Sequence, residues 1–261
     1  MTMTMTAEAA LTVPTSRRYI ILATVSSATM LYAMAITVAN VVLPQMRGAL
    51  SATPDQIAWV ITFNLVATAV MTPISGWLSN RFGRRNVMLV GTLGFTISSV
   101  LCGLADSLEA LVLYRVFQGA FGAPLVPVSQ AIIMDTFPRS QHAQATALWG
   151  VGVVMGPIMG PTFGGAIAEE YSWRWVFFMI VPFGAMTFAA IWSFILRRPN
   201  RPVSHSLDWL GFLALAAALG AFQFMFDRGQ RNSWFESPET IVECTVGFLA
   251  VYIFLVHIST A

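Results

Sequence analysis

Long apolar stretches alternate with short polar ones along this chain, near residues 19–44, 57–79, 87–105, 109–133, 143–168, 173–195, 208–226 and 239–258. Each approaches the ~20 residues that an α-helix needs to cross a hydrocarbon core ~30 Å thick. None has the alternating pattern of an outer-membrane barrel strand. The pattern therefore predicts an all-α membrane protein with eight crossings. The first stretch follows the polar opening MTMTMTAEAALTVPTSRR and runs too long for a cleaved signal sequence, so it reads as a retained span.

Two connections exceed a tight turn: RRPNRPVSHS at 197–206, and DRGQRNSWFESP at 227–238. The first, with its arginines and prolines, marks a boundary. The expected layout is an N-terminal tail (1–18), a six-helix bundle (19–196), a linker (197–207) and two additional transmembrane helices (208–258).

Composition sharpens the picture. Hydrophobic residues make up 56% of the chain and charged residues 10%, whereas a soluble domain carries about 25% charged. A soluble fold is excluded. All 14 basic residues are arginines and the net charge is only +2, which gives no nucleic-acid surface. Basic residues favour the cytoplasmic side of short loops. Assigning Arg17, Arg18, Arg81, Arg84, Arg85, Arg139, Arg197, Arg198 and Arg201 inside leaves Arg47, Arg174, Arg228 and Arg231 outside and Arg115 within a span. Both termini are then cytoplasmic and the membrane is the inner one. Cys102 and Cys244 fall in separate apolar runs and read as small core residues.

Four places carry candidate chemistry. After the second stretch, Gly76-Trp-Leu-Ser-Asn80-Arg81-Phe-Gly83-Arg84-Arg85 gathers three arginines at the membrane face, and its glycines allow a tight helix-to-helix turn. In the fourth stretch, Arg115 lies about six residues inside the boundary, where a charge costs at least ~2.5 kcal/mol and needs an interior partner. Arg115, Gly119, Gly122, Val126 and Ser129 share a face, with Gln118 beside them.

The fifth stretch has Gly152, Gly156, Gly160 and Gly164 at every fourth position, a flat groove about 18 Å long for another helix backbone. Pro157 and Pro161 interleave and favour a bend. The first stretch offers Thr37, Asn40 and Pro44 as a polar track. A P-x-x-G echo, Pro73 to Gly76 and Pro161 to Gly164, suggests a three-plus-three inverted repeat. No nucleophile triad, phosphate cradle or metal-ligand spacing is visible: His142, His205 and His257 are scattered. An enzyme is not expected.

At these residues the sequence resembles the major facilitator superfamily, in its fourteen-helix drug:proton antiporter branch (EmrB/QacA type). The loop Gly76 to Arg85, the run Arg115-x-x-Gln118-Gly119, and Gly152-x-x-x-Gly156-Pro157-x-x-Gly160-Pro161-x-x-Gly164-Gly165 resemble that branch's signatures, as do Trp173-Arg-Trp-Val-Phe-Phe and Phe226-Asp227-Arg228-Gly229. The resemblance implies proton-coupled efflux of drugs or other amphipathic small molecules by alternating access, with the chain as the N-terminal portion and a second six-helix bundle absent. It implies a cytoplasmic gating loop at Gly76, Asn80, Arg81, Gly83, Arg84 and Arg85, proton coupling or a cavity at Arg115, Gln118, Asn40 and Thr37, and a hinge at the fifth-stretch motif including Gly165.

No cofactor is implied, since the proton gradient supplies the energy. Implied partners are amphipathic substrates, protons, the lipid bilayer, and either a periplasmic adaptor or a second transporter half. Two departures bear on mechanism: Asn80 stands where the signature usually has an acid, and Ala35 where relatives carry a helix-one carboxylate. The alternative function is a non-transporting membrane fragment or assembly partner.

Overall fold

The computed structural model of the protein describes residues 14–196 and 207–260. Most of the expected tail and linker, with Arg197, Arg198, Arg201 and His205, lies outside the described residues. The chain forms α1 (Thr15–Val41), α2 (Leu43–Ala49), α3 (Pro54–Met71), α4 (Ile74–Phe82), α5 (Arg84–Gly103), α6 (Leu108–Gly122), α7 (Leu125–Thr136), α8 (His142–Glu170), α9 (Trp173–Phe178), α10 (Ile180–Phe194), α11 (Trp209–Arg228) and α12 (Pro238–Thr260). Among the described residues 7 crossings pass on length and hydropathy, and the bent pair α3 and α4 makes up to 8.

Local chemistry sets several boundaries. Thr53 and Gln56 exchange side-chain and backbone hydrogen bonds in a capping box, with Pro54 at the first position of α3. Ser107 caps α6 and Ser172 caps α9 through hydroxyls that accept from backbone N–H groups. The second crossing is broken rather than continuous. Pro73 has no N–H to give, and α3 and α4 meet there at 56°. In contrast α8 stays one uninterrupted helix of 29 residues through Pro157 and Pro161.

α1 runs through the middle of the bundle and packs against α8, α10 and α7, while α6 sits between α3 and α5. Two apolar clusters stack along the bundle. One joins Val25, Leu31 and Met34 of α1 to Met88, Leu125 and Ile133; the other joins Val38 and Met46 to Val60, Leu111 and Phe177. α11 pairs with α12 and rests on α3, so the additional helices are carried on that side of the bundle. Exposed apolar residues such as Phe248 and Tyr252 on α12 suit a lipid-facing helix, because hydrocarbon is as apolar as they are.

Candidate functional site

Arg115 is the largest side chain among those fully buried, at 1% exposure. It projects from α6 between α3 and α5. Its Nε donates to the Val60 carbonyl at 3.1 Å, and its Nη1 donates to Gln118 Oε1. Gln118 Nε2 then donates to Ser99 Oγ at 2.7 Å, and that hydroxyl donates to the Phe95 carbonyl at 2.8 Å. On the other side Asn64 Nδ2 donates to the Arg115 carbonyl at 2.8 Å, Thr68 Oγ1 donates to the Asn64 carbonyl, and Tyr32 OH donates to Thr68 Oγ1 at 3.1 Å. The Phe177 ring lies 6.0 Å from the guanidinium carbon.

Among the described residues no carboxylate pairs with Arg115, and its Nη2 has no hydrogen-bond partner. The shared face behaves as a packing face. A methyl on Gly119 would lie 2.3 Å from the Asn64 carbonyl, one on Gly122 would lie 2.6 Å from the Tyr32 ring, and Ser129 Oγ donates to Val25. The arginine thus sits in a closed polar core reaching from α1 to α5.

Thr37 and Asn40 lie elsewhere. Thr37 Oγ1 bonds back to Ala33 and Met34 and faces Gly160, while Asn40 is exposed and bonds back to Ile36. Neither joins the Arg115 network.

In the loop between α4 and α5, Gly83 takes φ 85°, a left-handed conformation that glycine adopts without strain. That turn aims two arginines in different directions. Arg84 pairs with Asp135 at the end of α7 and donates to the Ala131 carbonyl at 2.7 Å; Arg85 donates to the Trp192 carbonyl at 2.7 Å and lies 4.9 Å from the Trp192 ring. One turn therefore ties the ends of α7 and α10 to the start of α5. Asn80 and Arg81 are exposed, and Gly76 faces open space. Asp135 on α7, rather than position 80, supplies the carboxylate that pairs with this loop.

The glycine ridge of α8 is filled by α1. Methyl groups added at Gly152, Gly156 and Gly160 would come within 3 Å of Ser26, Met30 and Thr37, and one at Gly164 would meet Val38 at 1.9 Å. Trp149 Nε1 donates to Thr29 Oγ1 at 2.9 Å and pins the same seam. Gly165 lies at its edge, where an added methyl would come no nearer than 3.8 Å to Val41.

The helices after residue 207 are fixed at both ends. Thr62 Oγ1 of α3 donates to Asp227, which also faces Arg231 at 3.5 Å, and the Phe63 and Phe224 rings meet edge to face at 5.5 Å. At the opposite end Asp208 accepts from Gly211 N and from His257 Nε2, each at 2.9 Å, so one carboxylate caps α11 and holds α12. The Gly211 N–H, then the His257 contact, hold the Asp208 carboxyl below the usual carboxylate range.

A bundle of membrane-crossing helices with its polar centre enclosed around one arginine is the architecture of a polytopic membrane protein. The chain belongs to the major facilitator superfamily, whose family model, described as Major Facilitator Superfamily, matches residues 25–261. It is 39% identical over 226 residues to the multidrug export protein EmrB of Haemophilus influenzae, covering 87% of this chain and 44% of that protein. It is 38% identical over 215 residues to the fatty acid resistance protein FarB of Neisseria gonorrhoeae, covering 82% and 42%. A bacterial homologue of the human lysosomal transporter Spinster, solved inward-facing and occupied, superposes with a TM-score of 0.66 at 23% identity over 95% of this chain and 61% of that one. The chain spans a little under half the length of the curated relatives it matches.

Proposed function

We propose that the chain forms the N-terminal portion of a proton-coupled exporter of drugs or other amphipathic small molecules, working by alternating access from the inner membrane with both termini cytoplasmic. The six crossings up to residue 196, built from α1 to α10, are one rocking body, and α11 with α12 link it to the rest of the transporter. The observation that carries this reading is the enclosed Arg115: an ionisable group kept inside a membrane bundle at an energetic cost, held by a carbonyl and an amide rather than neutralised by an acid. Among the described residues no acid lies against Arg115, so the proton carrier would be an acid supplied by the rest of the transporter, and the fixed positive charge would favour its release of a proton. The names of the relatives, multidrug export and fatty acid resistance, support amphipathic cargo.

Inverted membrane vesicles carrying the protein test the reading with ethidium as cargo. Energised vesicles are expected to accumulate ethidium and to lose it when an uncoupler collapses the proton gradient. Arg115→Ala is expected to abolish accumulation at an unchanged level of protein in the membrane. Accumulation that survives both the uncoupler and the substitution would contradict the proposal.

A further inference from the structure

A groove of about 660 Å³ runs along the bundle between α1, α8 and α10, away from the Arg115 network. We propose that it holds one acyl chain of an anionic bilayer phospholipid, with the headgroup at Arg17. Its floor is a single stripe of α1: Ile20, Thr24, Ser27, Leu31 and Met34 line it at alternating spacings of four and three, which keeps them on one face of the helix. From Ile20 to Met34 the stripe measures about 21 Å, enough to lay one chain of a leaflet lengthwise in a core ~30 Å thick.

Phe163 of α8 and Phe183 and Met186 of α10 form the walls, and at 49%, 47% and 59% exposure they leave the groove open sideways. The hydroxyls on the floor ask for no polar ligand. Thr24 Oγ1 and Ser27 Oγ each donate at 2.8 Å to a carbonyl of their own helix, Ile20 and Ala23. An apolar groove of this kind does not hold water. Where it opens into hydrocarbon, the bilayer's own chains are the most concentrated apolar ligand and fill it by mass action. Met34, Met159 and Met186 line it with unbranched, flexible side chains that adapt to a chain of variable kink.

Charge selects the lipid. Arg17 lies three residues before Ile20 and so continues the floor stripe by one turn, at the helix start where headgroups sit. It is half-exposed and forms no ion pair among the described residues. Its guanidinium fork fits a phosphate oxygen pair. Seated there, the chain wedges against Met159 and Phe163, side chains on the same helix as the glycines that close on α1. The site requires no transport activity, so its failure would leave the exporter reading untouched.

The test places the photoreactive residue p-benzoylphenylalanine at Met186 in the full protein in native membranes. Irradiation is followed by intact-mass analysis of the adduct. The expected product is a phospholipid adduct enriched in anionic headgroups over the bulk membrane, with that enrichment falling about fivefold in Arg17→Gln. Ser27→Trp fills the groove at an exposed floor position and is expected to remove the adduct without changing the level of protein in the membrane. Ala23→Phe, also an exposed lining residue, gives the same readout should Ser27→Trp fail to accumulate. A cross-link to polypeptide, an adduct with a free fatty acid or a drug, an adduct that mirrors bulk lipid in both Arg17 forms, or one indifferent to groove filling would each overturn the proposal.

Discussion

Arg115 persists in the bundle because its cost is met locally. Insertion scales put a charge at the middle of a span at ~2.5–3.5 kcal/mol, and a hydrogen bond to a charged group returns ~1.5–3 kcal/mol. Its bonds to the Val60 carbonyl and to Gln118 are therefore of the right size to hold it. Gln118→Leu removes one of them and severs the link to Ser99. It is expected to destabilise the protein by about 2–3 kcal/mol, read as lowered resistance to denaturant in detergent. Arg115 and Gln118 were legible in the sequence, since a guanidinium and an amide stand out inside an apolar run. Asn64, Ser99 and Tyr32 were not, because single polar residues of that kind punctuate most spans. Asp135 was missed for a different reason: its partner Arg84 lies 51 positions earlier, and only the fold brings the ends of α5 and α7 together.

Among the elements, the pairing of α1 with α8 depends on bare backbone. Gly160→Val pushes a side chain into Thr37 and the Met34 carbonyl, 2.4 and 2.9 Å from the first added carbon, and is expected to cost about 1–3 kcal/mol. Gly150→Ala meets nothing within 4 Å, and should leave stability unchanged or raise it by up to ~1 kcal/mol. Thermal unfolding of the two variants side by side checks the contrast. The four-residue glycine period made a helix-packing groove readable, but which helix fills it was not, because α1 and its rivals are equally apolar. The break between α3 and α4 was also hidden, since hydropathy runs on through Pro73 while the backbone turns by 56°. At the start of α11 the sign of a pH effect follows from Asp208. Its carboxyl is held low in the fold, so its capping contribution is present above the ordinary value of about 3.9 and is lost as pH falls through the lower folded value. Protection factors at Gly211 and Phe212, with intrinsic exchange divided out, are expected to fall on acidification in that window, and Asp208→Asn is expected to remove that fall.

On the scale of the whole molecule, two apolar clusters, one enclosed polar core and an outlying helix pair form a superfamily bundle. Seven crossings and their approximate limits, and an eighth if the bent pair α3 and α4 counts as one span, could be read directly, because crossing a bilayer demands length and apolarity in each segment independently. Packing order could not, because lipid and protein neighbours ask for the same side chains. In the proposed function this enclosed arginine links cargo to protons. The most direct measurement of that link counts the protons displaced when the purified protein binds ethidium in weakly buffered detergent near neutral pH. Proton release on binding is expected from the native protein and none from Arg115→Ala. Ethidium binding of undiminished affinity with no proton release from the native protein would contradict it.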